Sequence, residues 1–243
     1  MTKPKMIRTA FDRESDDEVI LTGRPSPRPR DAATLILVRR DQSAPRVLMG
    51  KRSGRHDFMP DKYVFPGGRV DPQDSRVFSV SELTAETDRR LRFQSRRKPR
   101  AFALTAIRET FEETGLLIGQ TAQTPPRAPD GWQPLYEMNV APCLKNLHFI
   151  GRAITPPYRP KRFDARFFMA EAERVLIDDR PPLDGAELHD LQWVTLTEAK
   201  ALDLPSVTRF MLDEIDQRLT GAPPPGPPFL RWTRGGHSQD RLV

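Results

Sequence analysis

The sequence predicts an α/β domain around a mixed, mostly short-stranded sheet. Three observations point there: short apolar runs of strand character closed by turn residues, one strong helical stripe in the middle of the chain, and strands alternating with helices towards the C-terminus. At 243 residues the chain suits one large domain or two small ones, with enough chain to bury a sizeable core.

Residues 33–38 (ATLILV) and 46–49 (RVLM) flank a turn-like DQSAP segment and predict a hairpin with at least one buried strand. Tyr63-Val64-Phe65 predicts a third strand, stopped by Pro66-Gly67-Gly68. Residues 101–114 are rich in helix formers, with Leu104, Ile107 and Phe111 on one stripe and Gly115 as the natural stop. Residues 121–134 read as a Pro-rich loop, and 147–154 and 163–169 as strands around the loop 155–160. A Trp193-containing strand at 188–196, a short helix capped by Thr197 and an amphipathic helix at 206–219 follow. Residues 1–30 read as an arm, 31–220 as the domain, and 221–243, with five prolines at 223–228, as a tail outside the core.

No apolar run approaches the roughly 18 residues of a membrane helix, and no signal-like apolar stretch follows the basic start. A single cysteine, Cys143, excludes an internal disulfide and fits a reducing, cytoplasmic setting. The net charge of +6 is concentrated: residues 75–100 carry Arg76, Arg89, Arg90, Arg92, Arg96, Arg97, Lys98 and Arg100 against Glu82, Glu86 and Asp88, an excess of five. That location suggests either a grip on a phosphorylated substrate or a solvated decoration.

Glu109, Glu112 and Glu113 stand at i, i+3 and i+4 on one helix face, with Arg108 placed to pair with Glu112. Three carboxylates so close raise each other's pKa unless a cation neutralises them, and Mg²⁺ is a natural neutraliser because it takes oxygen ligands and shares them with phosphates. Upstream, Gly67 and Gly68 let backbone approach a ligand closely.

Together these residues resemble the Nudix box, G-x5-E-x7-R-E-U-x-E-E-x-G-U, with U a bulky apolar residue. Residues 108–116 (RETFEETGL) match its second half, with Thr110 at the first U. Gly68 begins the first half, and Asp74 stands where the family has Glu. Asp74 and Arg108 are separated by 33 residues instead of 7, so 26 are inserted within the box. The resemblance, over roughly 30–220, implies a Nudix α/β/α sandwich around a mixed β-sheet. It also implies hydrolysis of a nucleoside diphosphate derivative with Mg²⁺ or Mn²⁺, held by Glu109, Glu112, Glu113 and the Gly67 carbonyl, with Arg108 orienting the glutamates. The general base is a box glutamate or a later acidic residue, for which Glu187 is the best candidate.

The inserted box, FMPDKYVFPGG and TPPYRPKRFDARFF are similar to a peroxisomal coenzyme A diphosphatase subfamily. A motif of another coenzyme A diphosphatase branch is matched in part, with Asp57 and Asp61 replacing its Arg and Gly. Arg52, Arg55, Arg159 and Arg162, with Gly67 and Gly68, are the expected substrate-binding residues. Coenzyme A or acyl-coenzyme A is the leading substrate. ADP-ribose, a dinucleotide or capped RNA is the enzymatic alternative, and a silent regulatory or nucleic-acid-binding module the non-enzymatic one. A small-molecule partner is expected, with nucleic acid disfavoured, no membrane, and homodimer formation left open.

Overall fold

The computed structural model describes residues 26–54, 59–221, 224–233 and 236–242. The first apolar run becomes β1 (Arg30–Arg39), followed by β2 (Arg46–Arg52), β3 (Tyr63–Val64) and β4 (Gly67–Arg69). A single 3-10 turn at Asp74–Arg76 and α1 (Ala85–Leu91) precede the long α2 (Pro99–Thr114). Then come β5 (Gln120–Thr121), α3 (Gln133–Glu137), β6 (Val140–Ala141), β7 (His148–Ile154), β8 (Phe163–Glu171) and α4 (Ala172–Val175). The last elements are β9 (Leu188–Thr195), α5 (Leu196–Ala201), α6 (Ser206–Thr220), β10 (Pro228–Thr233) and β11 (Gly236–Arg241).

The main sheet runs β11-β10-β7-β8-β1-β2-β3, with β4 also on β1 and β9 also on β2. At its centre β1 pairs with β8 in parallel along nearly its whole length, from Arg30 opposite Phe163 to Val38 opposite Glu171. Both faces of β1 are covered, which explains why its sequence is continuously apolar. Leu35 and Leu37 face α2, in a cluster with Phe102, Leu104 and Ile107. Ile36 and Val38 face α6, with Met211, Leu212 and Ile215. The result is the α/β/α layering around a mixed sheet. No helix among the described residues is long and apolar enough to cross a membrane.

Four expectations are corrected. Residues beyond 221 do not hang outside the core: β10 adds to β7 in parallel, Phe229 is buried, and β11 pairs along β10. Arg241 fastens this hairpin to α6 by two bonds to Glu214, at 3.0 and 2.9 Å. The helix after β9 is capped by Thr195, two residues before Thr197, in a reciprocal box with Glu198. Residues 121–134 contain the start of α3 and the fully buried Trp132. The basic insertion is built into the fold, since Val77 and Leu91 are core residues and Arg152 of β7 donates to the carbonyls of Phe93 and Gln94. Most of the predicted N-terminal arm lies outside the described residues.

Candidate active site

Helix α2 starts at Pro99, whose fixed φ suits a first helical position, and stops at Gly115, which takes the left-handed conformation (φ 70°) and donates its N–H to the Phe111 carbonyl. These two ends place residues 108–113 beside the β4 turn.

Arg108 is the hub there. Its Nε donates to Asp74 Oδ1 at 3.0 Å, Nη2 to Asp74 Oδ2 at 3.1 Å and to the Arg69 carbonyl at 3.2 Å, and Nη1 to Glu112 Oε2 at 2.9 Å. Glu109 Oε1 lies 2.9 Å from Nη2. Burial opposes the charge on Arg108, but Asp74, Glu109 and Glu112 outweigh it and hold the guanidinium above its usual range. Asp74 is itself buried and also accepts from Thr105 Oγ1 (2.6 Å) and Trp132 Nε1 (2.9 Å). Despite its shorter side chain, Asp74 therefore anchors the arginine that orients the helix carboxylates. The 33 intervening residues return Asp74 to α2 through the core.

Glu113 accepts a hydrogen bond from the Gly67 N–H at 2.8 Å. Burial pushes its carboxyl up to about 8, and that of Glu109, against the pull of Arg108, up to about 7. Glu112 is raised by burial as well. The glycines are required by packing: a Cβ on Gly67 would sit 2.5 Å from the Ala33 carbonyl, and one on Gly68 would fall inside the Glu109 carboxylate.

A cavity of about 370 Å³ opens beside these groups. Glu109, Glu113, Glu187, Gly67, Gly68 and Arg52 form one part of its lining. Phe163, Phe167, Val207 and Leu230 supply much of its apolar wall. Arg159, almost fully buried, also reaches it. Glu112 is not in the lining; its carboxylate is turned to Arg108.

Arg162, expected to bind substrate, is engaged elsewhere: its guanidinium donates to the carbonyls of Thr155 and Pro27 and to Ser26 Oγ, fixing the segment before β1. Arg55 lies outside the described residues. None of residues 75–100 lines the cavity; Arg90, Arg92, Arg97 and Arg100 pair with Glu86, Asp88, Asp31 and Glu82. The sequence reading missed Arg69, Met59, Tyr158, Phe163, Phe167, Leu230 and His237 as lining residues. The alternation of apolar residues on 163–169 was a usable signal; Leu230 and His237 had none, because they arrive from the far edge of the sheet.

The donors at the glycine turn are all oxygens, as a hard divalent cation prefers, and Mg²⁺ typically takes only one or two carboxylates, completing its shell with water and phosphate. Among the described residues no three His, Cys, Asp or Glu side chains close around one point. The open arrangement of Glu109, Glu113 and Glu187 fits a cation that shares its ligands with a substrate.

A mixed sheet between helices, with a glycine turn facing an R-E-x-x-E-E helix, is the Nudix fold with its box. No family profile matches the chain. It is 29% identical over 178 residues to a Caenorhabditis elegans protein provisionally named nudix hydrolase 7, covering 68% of this chain and 51% of that one. It is 25% identical over 207 residues to an acyl-coenzyme A diphosphatase of Xenopus laevis, covering 63% and 53%. The crystal structure of a Nudix hydrolase from Alicyclobacillus acidocaldarius superposes with a TM-score of 0.59 at 27% identity, over 82% of this chain and 99% of that one. In its fold and its box the chain thus resembles the Nudix hydrolases. It spans about half the length of the curated relatives it matches.

Proposed function

We propose that this chain is a Mg²⁺- or Mn²⁺-dependent diphosphatase that cleaves coenzyme A or acyl-coenzyme A to 3′,5′-ADP and the corresponding phosphopantetheine. The observation that carries this reading is the cavity, which joins an acidic end at the glycine turn to a longer, largely apolar part that also holds Arg159 and Arg231. A diphosphate carrying a long neutral arm suits both parts. The similarity to an acyl-coenzyme A diphosphatase supports it.

A divalent cation held by Glu109, Glu113 and the Gly67 carbonyl, with Glu112 nearby, would neutralise charge developing on the diphosphate oxygens. The chain's own residues do the rest. Arg108 fixes Glu109 and Glu112, so the carboxylates need no reorganisation when substrate binds. Arg52, whose charge acts on Glu113, lies in the lining where it can take a phosphate oxygen. Glu187 lines the same cavity and would accept the proton of the attacking water as its oxygen bonds phosphorus and the P–O bond to the leaving phosphate breaks.

Incubation of the purified chain with Mg²⁺ and a panel of coenzyme A, ADP-ribose, NADH and capped RNA tests this. Release of 3′,5′-ADP from coenzyme A is expected. AMP from ADP-ribose or NADH alone would move the substrate to the second class, and no hydrolysis with salt-dependent RNA binding would indicate a silent module.

A further inference from the structure

We propose that the C-terminal hairpin, β10 and β11, reads the acyl end of the substrate, with Trp232 as the residue that favours thioesters over free coenzyme A. The proposal rests on the coenzyme A reading above.

It begins with register. Arg69 pairs with Ala32, Ala32 with Ala165, Ala165 with Ala153, and Ala153 with Leu230. All five line the cavity, so its floor crosses β4, β1, β8, β7 and β10 on one level. Phe163 and Phe167, two residues to either side of Ala165 on the same face of β8, bound it as walls. The row between Arg69 and Leu230 is all alanine, and the charged lining residues Arg159 and Arg231 stand off it.

Four strand gaps of about 4.8 Å put roughly 19 Å between Arg69 and Leu230. A pantetheine arm, two amides joined by short aliphatic links, spans roughly 16 Å at the extension of a peptide backbone. An arm starting from a diphosphate at the glycine turn therefore ends near Leu230. A nucleoside is much shorter and would leave the distal part of the floor empty.

What stands at that distal end is the hairpin. Trp232 pairs with His237, on the same face as Leu230. Its ring meets Tyr158 edge-on at 5.4 Å and His237 at 4.7 Å, and both of those residues line the cavity. Trp232 is 37% exposed, among the few large apolar side chains open to water. An acyl group leaving the end of the arm meets this indole and shields it. Free coenzyme A ends before reaching it. The bonds from Arg241 to Glu214 hold the hairpin in place.

The test is steady-state hydrolysis by the full chain of coenzyme A and of its acetyl, hexanoyl and dodecanoyl thioesters, for wild type, Trp232→Ala and Trp232→Phe. Trp232→Ala should raise KM about tenfold for the dodecanoyl substrate, the equivalent of losing about two buried methylenes. It should leave KM for free coenzyme A and all kcat values unchanged. Trp232→Phe should recover most of the loss, and turnover of free coenzyme A reports that each variant is folded. KM changes independent of acyl length, or none at all, in an active enzyme would overturn the role of Trp232 while the coenzyme A reading stood. Failure of the wild type to hydrolyse any of the four would defeat that reading, and this proposal with it.

Discussion

Asp74 and Arg108 form a buried pair joined by two hydrogen bonds, at 3.0 and 3.1 Å, across 34 positions of sequence. Trp132, Thr105 and the Asp71 N–H also donate to the carboxylate. Removing Asp74 strips Arg108 of its most buried carboxylate and leaves the donors of Thr105 and Trp132 without their acceptor. Asp74→Ala should therefore lower stability by about 3–5 kcal/mol in urea unfolding. Arg108→Lys cannot hold Asp74, Glu109 and Glu112 together, because an ammonium lacks the planar fork. Its kcat should fall far more than its stability, and a variant with wild-type kcat would refute the hub.

Gly67 and Gly68 should respond differently to the same methyl. At Gly67 the methyl meets backbone, 2.5 Å from the Ala33 carbonyl and 2.7 Å from Thr34 Cα, so Gly67→Ala should cost both stability and activity. At Gly68 it meets only the carboxylate at the end of the Glu109 side chain. Gly68→Ala should keep its melting temperature while kcat drops about a hundredfold, as the displaced carboxylate loses its geometry. Thermal melts and kinetics on both variants separate these outcomes.

Burial holds Glu109 up to about 7 and Glu113 up to about 8 without bound metal. Since these folded values lie above the ordinary 4.5, folding favours the protonated forms. The stability they confer is complete below about pH 4.5 and is lost as pH rises through 7 and then 8. Melting curves in chelator should show this decline, Glu113→Gln should flatten it, and Mg²⁺ should reverse it most strongly at the alkaline end. Melting temperatures that climb with pH in chelator would contradict the burial of these groups.

The helix and its glycine turn were legible in the sequence because their chemistry is local: RETFEETG and FPGG each sit on one turn or strand end. Strand positions in 33–38, 46–49 and 163–169 were legible for the same reason, the first two through apolar runs and the third through alternation. What was hidden depends on pairing between remote segments. The prolines at 223–228 masked the alternation of residues 229–232, and nothing in the hairpin's composition reveals that its neighbour is β7. Arg162 looked like a phosphate ligand, yet the carbonyls of Thr155 and Pro27 need its donors. The basic segment misled through its net charge, because its partners, Asp31 and the carbonyls facing Arg100, lie outside it or in its own turns.

That segment yields a further prediction. Arg92, Arg96 and Lys98 are exposed and away from the cavity, so converting all three to Gln should change KM for coenzyme A less than twofold. Arg52→Gln, from the lining, should raise KM by tenfold or more, the worth of one charge-assisted bond of about 1.5 kcal/mol. Equal effects would return the basic segment to the substrate.

Glu214 is only 2% exposed and accepts from both Arg218 and Arg241. Glu214→Ala would leave two guanidinium groups without their carboxylate and should cost about 3–5 kcal/mol. The loss should appear in hydrogen exchange first as deprotection of residues 228–241. Uniform deprotection of the whole sheet would show instead that the hairpin is inseparable from it.

The parallel ladder of β1 with β8 has a kinetic meaning. Asp31 and Arg166, joined beside that ladder, are 135 positions apart. Closing so long a loop costs entropy before any contact repays it, so the ladder is a late, slow event in folding. The cavity floor depends on β1 having found β8, through Ala32 and Ala165. A nascent chain halted before residue 163 would hold every box residue and yet have no floor beneath its site.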